Sequence, residues 1–177
     1  MSNALFELES INKLPLWAQV LIASRMARRA VLAVPSAATP TRKVLLHACD
    51  AMDRCAAAGE WLSAERPAIR KGSSHQPAAD AHGAKTAVYY AADATHAAHD
   101  SLDFSAAENA CEGSVWKAID AAATAKGVQR VQAMIFLAAD LDTVRFACKE
   151  ARVGRYDRLG SGVMGRMVPV ASVNDGC

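Results

Sequence analysis

Hydrophobic positions recur at every third or fourth residue along most of this chain, and nowhere do they alternate long enough to argue for a strand. Trp17, Val20, Leu21, Ser24, Ala27, Val31 and Val34 form one such stripe and predict a first helix from about Leu14 to Val34. Asn12 is placed to cap it after a short leader over residues 1–12. Pro15 suits a first turn, where its missing N–H costs little, and Pro35 ends the helix. After a loop over 35–39, Thr39 caps a second helix with Pro40 at its first position. Val44, Leu45, Ala48, Cys49, Met52, Cys55 and Ala56 share one face, and Lys43, His47, Asp50 and Arg54 the other. Gly59 is one stopping point; a weaker continuation through Trp61 and Leu62 would end at Pro67.

The segment 67–77 (PAIRKGSSHQP) crowds prolines, a glycine and serines together and predicts an exposed linker loop. A third helix follows from about Pro77 to Ser101. Ser105 and Glu108 have the spacing of a capping box and open a fourth helix to about Lys126, with Gly127 as its break. Its inward positions are Ala107, Cys111, Val115, Ala118, Ile119 and Ala122. The fifth helix, about Val128 to Arg152, carries Val131, Met134, Ile135, Phe136, Leu137, Ala138 and Leu141 around most of its circumference, which predicts that it is the central helix. Periodicity stops after Gly154. The expected fold is therefore all-α: a helical bundle of about five main helices over residues 1–153, with an irregular C-terminal tail over 154–177. Val163, Met164, Met167, Val168 and Val170 predict that part of this tail docks on the bundle or on a partner.

Composition sharpens this picture. The 177 residues are 52% hydrophobic but only 6% aromatic, so the core must rest on alanine and aliphatic side chains that let helices approach closely. Trp17, Trp61 and Trp116 are the large side chains available to fill its layers, with anchoring of an interface as the less favoured alternative. Lys plus Arg, at 20, nearly balances Asp plus Glu, at 18, which argues against a dedicated nucleic-acid binder. The nearest basic group, Arg25, Arg28 and Arg29, reads as a solvated helix face. The five cysteines are odd in number, contain no CxxC pair and fall mostly within apolar helical patterns. That usage predicts free thiols in a reducing cytoplasm. Glu7 and Glu9 stand where a signal peptide would be basic, and the arginines interrupt the most lipid-like stretch, so neither a processing segment nor a membrane span is expected.

One polar constellation carries candidate chemistry. At about 100° per residue, His82, Tyr89, Asp93, His96 and Asp100 fall in a narrow wedge of the third helix. His99 falls on the adjoining apolar arc with Ala81, Val88, Ala92, Thr95 and Leu102, which makes it the more buried imidazole. His96 has Asp93 at i−3 and Asp100 at i+4. Asp93, His96 and His99 are thus the candidate metal ligands, for a transition metal such as iron, zinc or manganese, or an acid–base group with a carboxylate orienting His96. Closing such a site requires ligands from other helices: Glu108, Glu112, Asp140, Asp142, or the pair His47 and Asp50. The structural reading outweighs it, because repeated inward Glu-x-x-His units are missing and surface His–Asp pairs are ordinary. Asp140 and Asp142, in the most apolar helix, read as salt-bridge partners near Arg145. There is no P-loop, dinucleotide fingerprint, HExxH or G-x-S-x-G.

Three stretches, LWAQVLIASRMARRAVLAV, TRKVLLHACDAMDRC, and the pair AADAHGAK and AADATHAAHD, resemble an alanine-rich helical family of immunity proteins of bacterial toxin systems. The likeness spans about residues 17–150; the family's helix-ending Trp-Gly-Glu stands here in reversed order as Gly59, Glu60 and Trp61. The resemblance implies a cytoplasmic protein that neutralises a toxin by binding it, without chemistry of its own, and it transfers no binding residue. The missing catalytic motifs and the balanced charge make non-enzymatic protein binding with no cofactor the expected function, and a homodimer is a further expectation. The alternative is a metal-binding or acid–base helical-bundle enzyme built on the third-helix stripe.

Overall fold

The computed structural model describes residues 11, 13–34, 39–77, 79–99, 104–125, 130–167 and 170, and every regular element among them is helical. In chain order these are α1 (Leu16–Leu32), α2 (Thr39–Ala58), α3 (Arg66–Ser74), a 3₁₀ turn (Ala79–Ala81), α4 (His82–His99), α5 (Phe104–Ala125), α6 (Arg130–Glu150) and α7 (Gly160–Met164). The all-α bundle expected from periodicity is the fold observed. Asn12, the loop over 35–38, Asp100, Leu102, Gly127, Val131, Met134, Val168 and Cys177 lie outside the residues or side chains described.

The centre of the bundle is α1, not the fifth long helix. From Leu16 to Ala27 every side chain of α1 is buried, and the helix packs against α2, α4, α5 and α6. The helix expected at the centre, α6, lies at the edge, where Ile135 and Phe146 are 65% and 62% exposed. Apolar residues around a helix predicted cover on all sides, but α6 leaves part of its apolar surface open. In α1 the arginines disguised the same property. They are not a solvated face: Arg25 is only 7% exposed.

Each of those arginines reaches a carboxylate supplied by another helix. Arg25 and Arg29, one turn apart, both donate to Asp140 of α6, with Arg25 Nη2 to Oδ1 at 2.7 Å and Arg29 Nη2 to Oδ2 at 3.1 Å. Arg28 turns to α2 and pairs with Asp50 and Asp53, both at 2.8 Å, while the buried Ser24 hydroxyl donates to Asp53 at 2.6 Å. Buried charge is tolerable only when paired and hydrogen-bonded. Asp140 therefore has the partner its apolar setting requires, but that partner is α1; Arg145 binds the exposed Asp142 instead, at 3.1 Å.

The interface between α4 and α5 shows what alanine does here. Ala84, Ala87, Val88, Ala91, Ala94 and Ala98 of α4 are buried in one core with Cys111, Val115, Ala118, Ile119 and Ala122 of α5. Small side chains on both surfaces bring the backbones close. The same logic explains α3, where a loop was expected. Pro67 sits in its first turn, Ile69 is 1% exposed, and a Cβ on Gly72 would lie 2.4 Å from that of Ala48. Gly72 is thus a contact point between α3 and α2 rather than a loop signal.

Gly59 does stop α2. It adopts φ +71°, its N–H bonds the Cys55 carbonyl at 2.9 Å, and the chain leaves the helix before Trp61. Ser105 lies inside α5, not at its cap, and the Glu108 carboxylate holds Arg155 instead, with contacts of 2.5 and 2.8 Å. Part of the segment 155–167 docks on the bundle: Leu159 and Val163 are buried, and 160–164 form the short α7. This segment also closes two helix ends. The Arg155 carbonyl accepts from the Leu16 N–H at 2.8 Å, and the Leu159 N–H donates to the Ala56 carbonyl at 3.3 Å. Arg158 packs so near Gly59 that a Cβ there would meet it at 2.6 Å. No helix among the described residues is long and apolar enough to cross a membrane.

Candidate functional site

The short helix α3 lies alongside α4, and an open cleft of about 580 Å³ runs between them. Its apolar floor includes Ile69 and Ala92, both buried. One wall is α3, whose Arg66, Arg70 and Ser73 follow one another at i, i+4 and i+7. The other is α4, which contributes Tyr89, Asp93, His96 and His99. Trp61, half-buried just ahead of α3, closes one end.

The wedge read from the sequence is the outward face of α4: His82, Tyr89, Asp93 and His96 are all exposed. Thr95 on the adjoining arc is fully buried and returns its hydroxyl to the Ala91 carbonyl at 2.8 Å. His99 departs from expectation. It is exposed like His96, because α4 is near its end there and the ring leaves the apolar arc to stack on Trp61, with centroids 6.3 Å apart and planes at 30°. His96 meets the same indole edge-on at 5.4 Å. Asp93 accepts the Ser114 hydroxyl of α5 at 2.7 Å.

The three predicted residues Asp93, His96 and His99 therefore do line one site. The additional ligands proposed for them do not join it. Glu108 holds Arg155, Asp140 holds Arg25 and Arg29, Asp142 holds Arg145, and Asp50 holds Arg28. His47 and Glu112 also lie outside the lining. Among the described residues no three His, Cys, Asp or Glu side chains converge in an arrangement that could hold a metal ion.

No protein-family model, curated protein or solved structure matches the chain.

Sequence reasoning missed the α3 wall and favoured packing over an interface for Trp61. The signal was present: Ile69 and Gly72 share a face three residues apart, Arg66 and Arg70 share the other, and Pro67 stands at a helix start. Neither Arg66 nor Arg70 is ion-paired with an acidic side chain among the described residues, unlike the arginines of α1. The aromatic character of the cleft extends at the Tyr89 end, where Lys85 Nζ lies 5.4 Å from the ring centroid and Tyr90 stacks edge-on at 5.4 Å.

Proposed function

We propose that this chain is a non-enzymatic binding protein that engages a protein partner through the α3–α4 cleft. The observation that carries the reading is the pair of guanidiniums, Arg66 and Arg70, without carboxylate partners among the described residues, beside Trp61 in an open, aromatic-lined groove. Arg next to aromatic rings is the composition of binding hot spots. Of the groups a mechanism would need, Asp93 accepts the Ser114 hydroxyl and both imidazole rings pack on Trp61. The immunity-protein resemblance points to the same kind of role, and four buried free thiols suit a reducing compartment such as the cytoplasm.

The test immobilises wild-type protein and the Arg66→Gln/Arg70→Gln variant and compares what each retains from an extract of the source cell. A partner held by the wild type and lost by the variant is the expected result. A partner held equally by both would move the docking surface elsewhere, and recovery of none by either would reject the reading.

A second reading is favoured by one observation, that Asp93, His96 and His99 share the cleft. In it the cleft binds a transition metal. Stoichiometric iron, zinc or manganese in protein purified without chelator or affinity tag, absent from His96→Ala, would establish that reading in place of the first.

A further inference from the structure

We infer that the cleft receives an extended segment of its partner in which two acidic residues flank an aromatic one. The inference rests on the binding reading above and specifies its occupant. The α4 wall runs from Tyr89 to His99, about 15 Å at the helical rise. An extended chain advances about 3.3 Å per residue, so the wall accommodates roughly four or five residues.

The spacing of charge on α3 sets the pattern. Arg66 and Arg70 are one turn apart on the same face, which separates their Cβ atoms by about 6 Å. In an extended peptide the side chains at positions i and i+2 point the same way and lie about 6.6 Å apart. Two carboxylates with one residue between them therefore match the two guanidiniums, each able to form a forked, charge-assisted pair. Adjacent acids would point to opposite walls. The intervening side chain turns toward α4, where Tyr89 and the imidazoles beside Trp61 offer ring surfaces above the apolar Ile69 and Ala92. Asp93 stands on that same wall and disfavours a charge there. It also opposes a polyanionic strand, whose phosphates would meet both walls, and a net charge of +2 offers such a strand little attraction.

Fluorescence anisotropy with labelled five-residue peptides tests this. The probe is acetyl-Gly-Glu-Phe-Glu-Gly-amide, compared with Gly-Glu-Glu-Phe-Gly, with a version carrying Lys for Glu, and with a short labelled oligothymidine. Arg66 and Arg70 are exposed, so Arg66→Gln/Arg70→Gln should keep the fold, which its helical circular dichroism checks. The inference expects the alternating acidic peptide to bind, to weaken as salt is raised, and to lose at least tenfold in affinity in the double variant. The adjacent-acid peptide should bind several-fold more weakly and the Lys peptide not measurably. Equal binding of all the peptides, lost in Trp61→Ala, would overturn the acidic pattern while keeping the cleft as a docking site. No peptide binding, with a partner from extract still lost by the double variant, would overturn the linear segment but not the binding reading. Tighter binding of the oligothymidine would overturn both in favour of nucleic acid.

Discussion

Arg25 and Asp140, 115 residues apart in the chain, meet inside the bundle at 2.7 Å, and both are nearly inaccessible to water. The same carboxylate also accepts from Arg29. Asp140→Asn should therefore remove the buried carboxylate that two guanidiniums share, at a cost of about 3 kcal/mol. Asp142→Asn, two residues away but solvent-exposed, should cost less than about 1 kcal/mol. Urea unfolding of both variants checks this; similar midpoints for the two would contradict the role given to Asp140.

Gly72→Ala places a Cβ 2.4 Å from that of Ala48 and should force α3 away from α2. Overpacking of this kind costs about 1–3 kcal/mol. Ala48→Gly removes the opposing methyl, so the double variant should be more stable than the sum of the two single changes. Strict additivity in thermal unfolding would show that the contact carries no strain.

Burial raises the Cys111 thiol to about 12 and the Cys148 thiol to about 11, and pushes those of Cys49 and Cys55 upward as well. The thiolate is the reactive form, so these four should resist iodoacetamide in the folded protein at pH 8. Intact-mass analysis should find at most one label on the native chain, the position left being Cys177, and five after denaturation. Rapid uptake of two or more labels under native conditions would contradict the packing of these helices.

The Glu108 carboxyl is lowered chiefly by its hydrogen bond to Arg155, and the Glu65 carboxyl by the equivalent bond to Arg54. A carboxyl lowered in the folded state contributes stability above its unfolded value, about 4.3, and loses it as pH falls through the lower folded value. Both pairs are solvent-exposed, so each should contribute under about 1 kcal/mol. Melting temperatures measured from pH 6 down to pH 3 should fall less steeply for Glu108→Gln than for the wild type. Parallel curves would show that the pair contributes nothing.

Much of the fold was legible because alanine and aliphatic residues at helical spacing specify helices with little ambiguity, and Thr39 with Pro40 marked a boundary the chain uses, while Gly59 was one of two stopping points the pattern left open. What sequence could not rank was position within the bundle. Periodicity measures apolar surface, and by that measure α6 outranked α1, since Arg25, Arg28 and Arg29 look like a wet face until Asp50, Asp53 and Asp140 are known to arrive from elsewhere. The cleft was half legible for a related reason. Asp93, His96 and His99 stood out as unusual residues on α4, whereas Arg66 and Arg70 were hidden in a segment whose proline and serines imitate a loop. Gly72 in particular has two meanings, a flexible joint or a place where another helix needs room, and only the neighbour Ala48 distinguishes them.

A helix covered on nearly every side by later parts of its own chain raises a problem of timing. On the ribosome, α1 emerges well before α4, α5 and α6 exist, and Asp140 follows Arg25 by 115 residues. At 5–20 residues per second that interval is roughly 6–23 s. Throughout it the Leu, Ile and Val side chains of α1 have no native shelter, so nascent chains of this protein should be clients of whatever chaperone meets them at the exit tunnel.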